Sequence, residues 1–447
     1  MRFSELEGAK VGVWGAGREI GSFAEQLARR LPTARIAVAV FDSPPEEDVR
    51  ERLRAPDVQV VGNSEAAVAL AGCDVLVRSP GVSIYRPELI ALREAGMAVT
   101  TATALWLAER GGAGVIGVTG TKGKSTTAAL AAHVGRAAGR TVQLVGNIGV
   151  PALDLLDEDA ADVTVVELSS YQLADLSTGP EVAVITNLYR EHTDWHGSED
   201  AYRADKLRIL GLPRVRVAVV GEREERIARA HPDIEVDVFG VPGGWELADG
   251  GISLRGDPQL ARSDLPLPGE HNALNLCAAL TALGALGVEP PSLPGALADF
   301  RPLAHRLETV LERDGVTWVD DSISTTPESA LAALASFPGR DVVLIGGGQD
   351  RGQDYAELGR ALEARGASVV GVPSTGARLI AAAREAGMPR EQAVEAVDLA
   401  QAVELARGLA HGGGTVLLSP AAPSYDFYSD FVERGERFRD LVHGHMR

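Results

Sequence analysis

Gly117-Val118-Thr119-Gly120-Thr121-Lys122-Gly123-Lys124-Ser125-Thr126 follows the apolar pair Val115-Ile116 and runs into the helix-forming stretch 127–134. Strand, glycine-rich turn and helix start in that order make a phosphate-binding loop. Glycines let backbone N–H groups close around phosphate oxygens, and the helix start adds the positive end of its dipole. Lys124 supplies a point charge and Ser125 a hydroxyl for Mg²⁺, so ATP is the expected nucleotide. Gly120, Thr121, Gly123, Lys124, Ser125 and Thr126 are its candidate contacts. The spacing departs from strict Gly-x4-Gly-Lys, because position 118 is Val and the glycines fall at 117 and 120. An ordinary glycine-rich turn is the competing reading.

Composition bounds the rest. The 447 residues fit about three domains of ~100–200 residues each. A net charge of −19 argues against a nucleic-acid partner, since nothing neutralises a phosphate backbone. Cys73 and Cys277 lie far apart in apolar surroundings, as buried thiols in a reducing compartment do. The first seven residues carry acids and no apolar core, and no apolar run approaches the ~18 residues of a membrane span. A cytoplasmic protein without a membrane partner is expected.

Residues 1–112 alternate short apolar runs (11–14, 36–41, 58–61, 75–77) with helical patterns, which predicts a parallel α/β sheet. Gly15-Ala16-Gly17 follows the first run, with the third glycine at 21. That spacing is weak evidence for a dinucleotide site, though the turn is suited to a pyrophosphate. Asp42 closes the second strand, and Ser79-Pro80-Gly81-Val82-Ser83 offers further backbone donors at the same sheet edge. A turn without a ligand is the alternative. A second unit, 113–300, carries the phosphate loop, strands at 163–168 and 182–187, a helix over 198–210 and, after a less regular stretch, a helix from about Asn272. A third, 301–447, has strands at 316–320, 342–346, 368–371 and 415–419 between alanine-rich helices, and the prolines at 290, 291 and 294 mark the boundary before it.

Charged groups gather where open α/β sheets bind ligands, at the C-terminal ends of strands. Glu167 ends one strand and is placed for Mg²⁺, which takes oxygen ligands from one or two acids plus phosphates. His192 follows the next strand, where a metal-binding or substrate-orienting role competes with that of a surface histidine. Lys206, on the following helix, reads by itself as a solvated lysine.

Several ordered motifs together resemble the Mur ligase superfamily, across all three units. They are the phosphate loop, Asn147-Ile148-Gly149, Glu167-Leu168-Ser169-Ser170-Tyr171-Gln172, Gly269-Glu270-His271-Asn272 with Asn275, His305-Arg306-Leu307-Glu308, Asp320-Asp321-Ser322 and Gly346-Gly347-Gly348. Ser419-Pro420-Ala421 and Phe431-Val432-Glu433-Arg434-Gly435 look most like the glutamate-adding members that extend UDP-N-acetylmuramoyl-L-alanine. The resemblance implies a Rossmann-like first domain anchoring the uridine diphosphate end, a central P-loop ATPase-like domain, and a Rossmann-like third domain bringing ATP and glutamate contacts by hinge closure. It also implies a monomer working through an acyl phosphate.

By the same resemblance, Lys124 would meet the β/γ phosphates, and Ser125, Glu167, His192 and Lys206 would serve the magnesium sites, of which there are two. Lys206 matches the family's carbamylated lysine, a cation turned into a carboxylate-like ligand. Lys124, His192 and Lys206 are thus the catalytic candidates. Asn272 and Asn275 would contact adenine, and Arg306 and Asp321 would hold ATP. Gly17, Arg18, Asp42, Ser79, Gly81, Asn147, Ser169 and Gln172 fall on the nucleotide-sugar side. Thr325, Arg351, Ser424 and Phe431 fall on the glutamate side.

Two departures concern handedness. Asp321-Ser322-Ile323-Ser324-Thr325-Thr326 has Ile where D-glutamate-adding members commonly have Lys, and Lys122 replaces the usual Asn of the phosphate loop. Together with Trp14-Gly15-Ala16-Gly17-Arg18-Glu19, the string looks more like the subfamily that adds L-glutamate and relies on a separate epimerase. L-Glutamate is slightly favoured over D-glutamate. A folate polyglutamylating ligase, a nicotinamide-dependent oxidoreductase using Gly15 to Gly21, and a non-catalytic P-loop module are the other readings.

Overall fold

The computed structural model describes all residues except 16, 42–48, 149, 190–192, 249, 268, 302–303, 340, 351 and 445–447. Three expected site residues, Asp42, His192 and Arg351, lie outside the described residues. The chain forms two compact units, Met1–Leu265 with Glu270–Phe300, and Pro266–Gly269 with Arg301–Arg447.

The first unit holds two parallel sheets. One contains β1 (Lys10–Trp14), β2 (Arg35–Phe41), β3 (Gln59–Gly62), β4 (Val75–Arg78) and β5 (Ala98–Thr100), in the order β3-β2-β1-β4-β5. The other contains β6 (Val115–Thr119), β7 (Val142–Gly146), β8 (Val163–Glu167), β9 (Val182–Ile185), β10 (Val217–Val220) and β11 (Glu235–Val238), in the order β11-β10-β9-β6-β8-β7. β6, β8 and β9 are buried along their whole length, which is why they read as continuous apolar runs: helices cover a parallel sheet on both faces. The motif loops leave the C-terminal ends of β1, β4, β6, β8 and β9.

The stretch that looks less regular in sequence contains a three-stranded antiparallel sheet, β12 (Trp245–Ala248), β13 (Gly251–Leu254) and β14 (Asp257–Ala261). Its strands are four or five residues long and place only Trp245, Gly251, Ile252, Ser253 and Leu260 inside, too little periodicity to stand out. The helix expected to run to 210 ends at Leu207, and a 3₁₀ turn, Arg208–Gly211, follows.

The second unit is one six-stranded sheet: β15 (Glu308–Arg313), β16 (Val316–Asp320), β17 (Val342–Gly346), β18 (Ser368–Gly371), β19 (Ala393–Glu395) and β20 (Thr415–Leu418), in the order β15-β16-β20-β17-β18-β19. β15 is antiparallel to β16 and the remaining pairs are parallel. β20 lies between β16 and β17, so the loops that follow these three strands leave the sheet edge side by side. Gly359 lets the Ala356–Ala364 helix touch the Gly376–Glu385 helix, since a Cβ there would lie 2.6 Å from the carbonyl carbon of Ala382. Gly359→Ala is expected to destabilise the protein by about 1–3 kcal/mol, read from urea unfolding, because backbone rather than a flexible side chain must give way.

Candidate active site

The phosphate loop reverses the chain at the end of β6 through two glycines that leave no room for a side chain. Gly120 has φ +139° and its Cβ would fall 1.9 Å from Thr186 Oγ1; Gly123 has φ +84° and its Cβ would fall 2.3 Å from Asn275 Oδ1. The loop is pinned from the exit of β9. Asn187 accepts from Lys122 N at 2.8 Å and donates to Lys122 O at 3.0 Å, while its carbonyl accepts from Thr121 N at 2.8 Å. Thr121 Oγ1 meets the Tyr202 hydroxyl at 2.7 Å. Lys124, first residue of the Lys124–Ala137 helix, folds its Nζ back onto the carbonyls of Gly120 (3.0 Å) and Thr121 (2.9 Å), at the place where phosphate oxygens would compete for it. Ser125 and Thr126 are buried in the first turn of the same helix. Asn272 and Asn275 lie one turn apart on the Glu270–Ala285 helix, where Asn275 Nδ2 donates to Asn272 Oδ1 at 3.3 Å.

Glu167 and Asn147 meet beside this loop. Asn147 Nδ2 donates to Glu167 Oε1 at 2.9 Å, and Glu167 Oε2 is buried without a hydrogen-bond partner among the described residues. A buried orphan carboxylate oxygen is costly unless something cationic meets it, which fits a divalent-metal ligand. Lys206 is buried at 2% exposure, with Nζ 3.5 Å from Thr119 Oγ1 and 5.1 Å from the centre of the Tyr202 ring. It is a buried residue, contrary to its bland reading as a solvated lysine.

Apart from Asp42, the expected nucleotide-sugar residues converge within the first unit. Gly17 starts the Arg18–Arg30 helix, and a Cβ on it would lie 3.1 Å from Ser79 Oγ, so the turns after β1 and β4 abut. Arg18 donates to the carbonyls of Gly146 and Asn147, both at 3.1 Å. Gln172 Nε2 donates to Glu19 Oε1 at 2.6 Å, and the Thr103 hydroxyl donates to Glu19 Oε2 at 3.1 Å. Burial pushes the Glu19 carboxyl up from its ordinary value despite these donors. Ser169 caps the short Ser170–Leu173 helix by accepting from Gln172 N. Gly81 O accepts from Trp195 Nε1 at 3.1 Å.

In the second unit, consecutive residues take separate partners. Asp320 Oδ2 pairs with His305 Nδ1 at 2.7 Å, a bond that raises the imidazole pKa. Asp321 accepts from Ser419 Oγ at 2.8 Å and from Leu307 N at 3.2 Å, and Ser322 Oγ donates to Phe431 O at 2.7 Å. Phe431 also presents its ring edge-on to His305, 6.2 Å away. Ser424 is buried in the middle of the loop after β20; Thr325 is half-buried, next to Ser324, whose carbonyl accepts from Ala421 N at 2.9 Å. Burial pushes the Asp321 carboxyl up to about 6, against hydrogen bonds from Ser324 and Ser419 and the charge of Arg306, which lower it. His305, Glu308 and Asp320 stand close enough to share a cation, but hydrogen bonds among themselves and from Arg439 to Glu308 (2.8 Å) already occupy them.

Residues 118–283 match the Mur ligase middle domain and 305–422 the Mur ligase glutamate ligase domain. The UDP-N-acetylmuramoyl-L-alanine–L-glutamate ligase of Xanthomonas axonopodis pv. citri is 43% identical over 99% of this chain and 97% of that protein. The chain belongs to the Mur ligase family. A second relative of the same name, from a Micromonospora species, is 42% identical over 99% of this chain and 98% of its own. Among solved structures, a MurF ligase from Thermotoga maritima in complex with ADP matches with a TM-score of 0.58 at 17% identity, over 100% of this chain and 97% of that one. E. coli FolC in complex with DHPP and ADP matches with a TM-score of 0.57 at 19% identity, over 75% and 90%. These likenesses establish the α/β fold in three parts. The Mur ligase family makes amide bonds at the expense of ATP, and this chain is such an enzyme.

The sequence reading of this Mur ligase missed Arg78, which is fully buried. Its guanidinium pairs with Asp175, donates to Val82 O at 2.8 Å and to Tyr171 O at 2.6 Å, and lies 5.5 Å from the centre of the Trp195 ring. Its signal was a cation closing the apolar run Val75-Leu76-Val77. His196 and Asp205 were also missed, because nothing local separates them from surface residues.

Asp321 makes a pH prediction. Its folded pKa of about 6 stands above the ordinary value of 3.8, so the folded chain binds the proton more tightly. Its contribution to stability is present below about pH 4 and lost as pH rises through 6. Asp321→Asn, neutral throughout, should therefore gain on wild type by on the order of 2–3 kcal/mol between pH 4 and 7 in urea-unfolding titrations.

Proposed function

We propose that this ligase joins L-glutamate to UDP-N-acetylmuramoyl-L-alanine, using ATP, in the synthesis of peptidoglycan precursors. The observation that carries this reading is the full-length match, at 42–43% identity, to relatives of that name from Xanthomonas axonopodis pv. citri and a Micromonospora species. Ile323, where a lysine would mark a D-glutamate pocket, supports the enantiomer. A separate epimerase would then act on the product.

The nucleotide-sugar carboxylate attacks the γ-phosphorus of ATP, a P–O bond to ADP breaks, and an acyl phosphate forms. The amine of glutamate then attacks the acyl carbon, the C–N bond forms as phosphate leaves, and the amine proton passes to solvent. Charge builds on phosphate and carboxylate oxygens in both steps, so fixed cations aimed at them contribute most. Lys124 would leave the Gly120 and Thr121 carbonyls for phosphate oxygens, and Arg306 would add a second positive charge. Ser125, Glu167, His192 and a carbamylated Lys206 would hold Mg²⁺, which supplies electrostatic stabilisation of the transferring phosphoryl group. The orphan Glu167 Oε2 supports that assignment. The carbamate would form when neutral Lys206 Nζ attacks CO₂ and releases a proton.

Lys124→Ala should abolish phosphate release in a coupled assay while calorimetry still detects the nucleotide sugar. Turnover near wild type would refute the ATP site. For the amino acid, L-glutamate should be used at least about 30-fold better in kcat/KM than D-glutamate, since a misplaced carboxylate leaves donors unpaired at roughly 2–5 kcal/mol. Preferential use of D-glutamate would reverse the enantiomer and leave the ligase reading in place.

A further inference from the structure

Tyr85, Ser170, His196 and Asp205 form a hydrogen-bonded chain that the chemistry above does not use. Asp205 Oδ2 accepts from the Tyr85 hydroxyl at 2.9 Å and pairs with His196 Nδ1 at 2.7 Å, and His196 Nε2 lies 2.9 Å from Ser170 Oγ. The order serine, histidine, carboxylate is that of a nucleophilic triad. Ser170 and His196 are each only 2% exposed, however, so no substrate bond reaches the hydroxyl and the chain acts as a fastener.

What it fastens is specific. Tyr85 belongs to the loop after β4, Ser170 to the loop after β8, His196 to the loop after β9, and Asp205 to the Glu199–Leu207 helix, one residue before Lys206. The same three loops meet again around Trp195. Its ring stacks on Tyr171 with centroids 4.5 Å apart, its carbonyl accepts from Ser83 Oγ at 2.6 Å, and its indole N–H donates to Gly81 O. Three buried side chains therefore fix the helix: Tyr202 to the phosphate loop, Lys206 beside Thr119, and Asp205 to the loop bearing Ser79 and Gly81. A helix is stiff over two turns, so displacement at Asp205 is passed on to Lys206.

We propose that His196 and Asp205 are positioning residues that register Lys206 with the nucleotide-sugar loop, so that the loop and the modified lysine are set together. This rests on the reading of Lys206 as carbamylated. A carboxylate accepting from both Tyr85 and His196 makes charge-assisted bonds, stronger than neutral ones, and breaking either loosens the helix at the residue before the lysine.

The test uses the whole enzyme and follows kcat, KM and the carbon-13 signal of the lysine carbamate under labelled bicarbonate. Tyr85→Phe removes one hydroxyl from a partly exposed residue, so folding survives. It should lower kcat roughly 3- to 10-fold, less than the full strength of a charge-assisted hydrogen bond because Tyr85 is partly exposed and water can replace its hydroxyl. KM for ATP and the nucleotide sugar should stay within about twofold, and the carbamate signal should fall in parallel with kcat and recover in high bicarbonate. His196→Phe, which keeps an aromatic ring in place and cuts both bonds, should lower kcat by at least about tenfold, with Tyr85→Phe adding little to it. Asp205→Asn, still able to accept, should retain more activity than Asp205→Ala. Wild-type kcat and carbamate signal in Tyr85→Phe would overturn the proposal even if His196→Phe fails to fold. A wild-type enzyme without carbamate would overturn the Lys206 reading and this inference together.

Discussion

Two positions at the end of β6 where no Cβ fits govern the first unit. Gly120 is closed against Thr186 and Gly123 against Asn275, so the loop, the exit of β9 and the Glu270–Ala285 helix can pack in only one way. A side chain at either glycine meets atoms inside 2.4 Å, and the positive φ would add backbone strain. With the loop in that place, Asn187 hydrogen-bonds both faces of the Lys122 peptide, Tyr202 reaches Thr121, and Lys206 is carried to Thr119. The site geometry follows from the turn.

The two large sheets of the first unit share one apolar core, and buried charges also cross between them. Arg78 at the end of β4 pairs with Asp175, which Arg93 also contacts, and Glu19 in the helix after β1 holds Gln172. Taking such groups out of water is unfavourable; burial lowers the Arg78 pKa and raises that of Glu19. Breaking one partner of a buried pair costs about 3–5 kcal/mol, whereas an apolar replacement of the whole pair is often neutral. What these pairs contribute is direction: each bond is satisfied in one relative placement of the turns after β1, β4 and β8.

The second unit uses the alternation of a strand end. Asp320 and Asp321 point to opposite sides of β16, so one carboxylate takes His305 while its neighbour takes Ser419 on β20's exit loop. Gly435 is required by the first pair, because a Cβ there would lie 2.1 Å from His305 Nδ1. Histidine, aspartate and glycine, scattered over 130 residues, are thus one packing unit beneath the start of the Phe431–Gly444 helix.

Much of this was legible in the residues themselves. Strand, glycine turn and Gly-Lys-Ser-Thr fix a phosphate loop because both backbone conformation and charge are local properties, and wholly buried parallel strands announce themselves as apolar runs. The motif order was enough for the family. Other features exist only once the chain is folded. The Trp245–Ala248, Gly251–Leu254 and Asp257–Ala261 strands are too short to show a period. Arg78 finds Asp175 across 97 residues and Tyr85 finds Asp205 across 120, and no local preference encodes such a meeting. Lys206 is the sharpest case. In sequence its position on a charged helix reads as a solvated cation, and only packing against Tyr202 and Thr119 makes it a buried amine, because burial is decided by which surfaces the fold brings together.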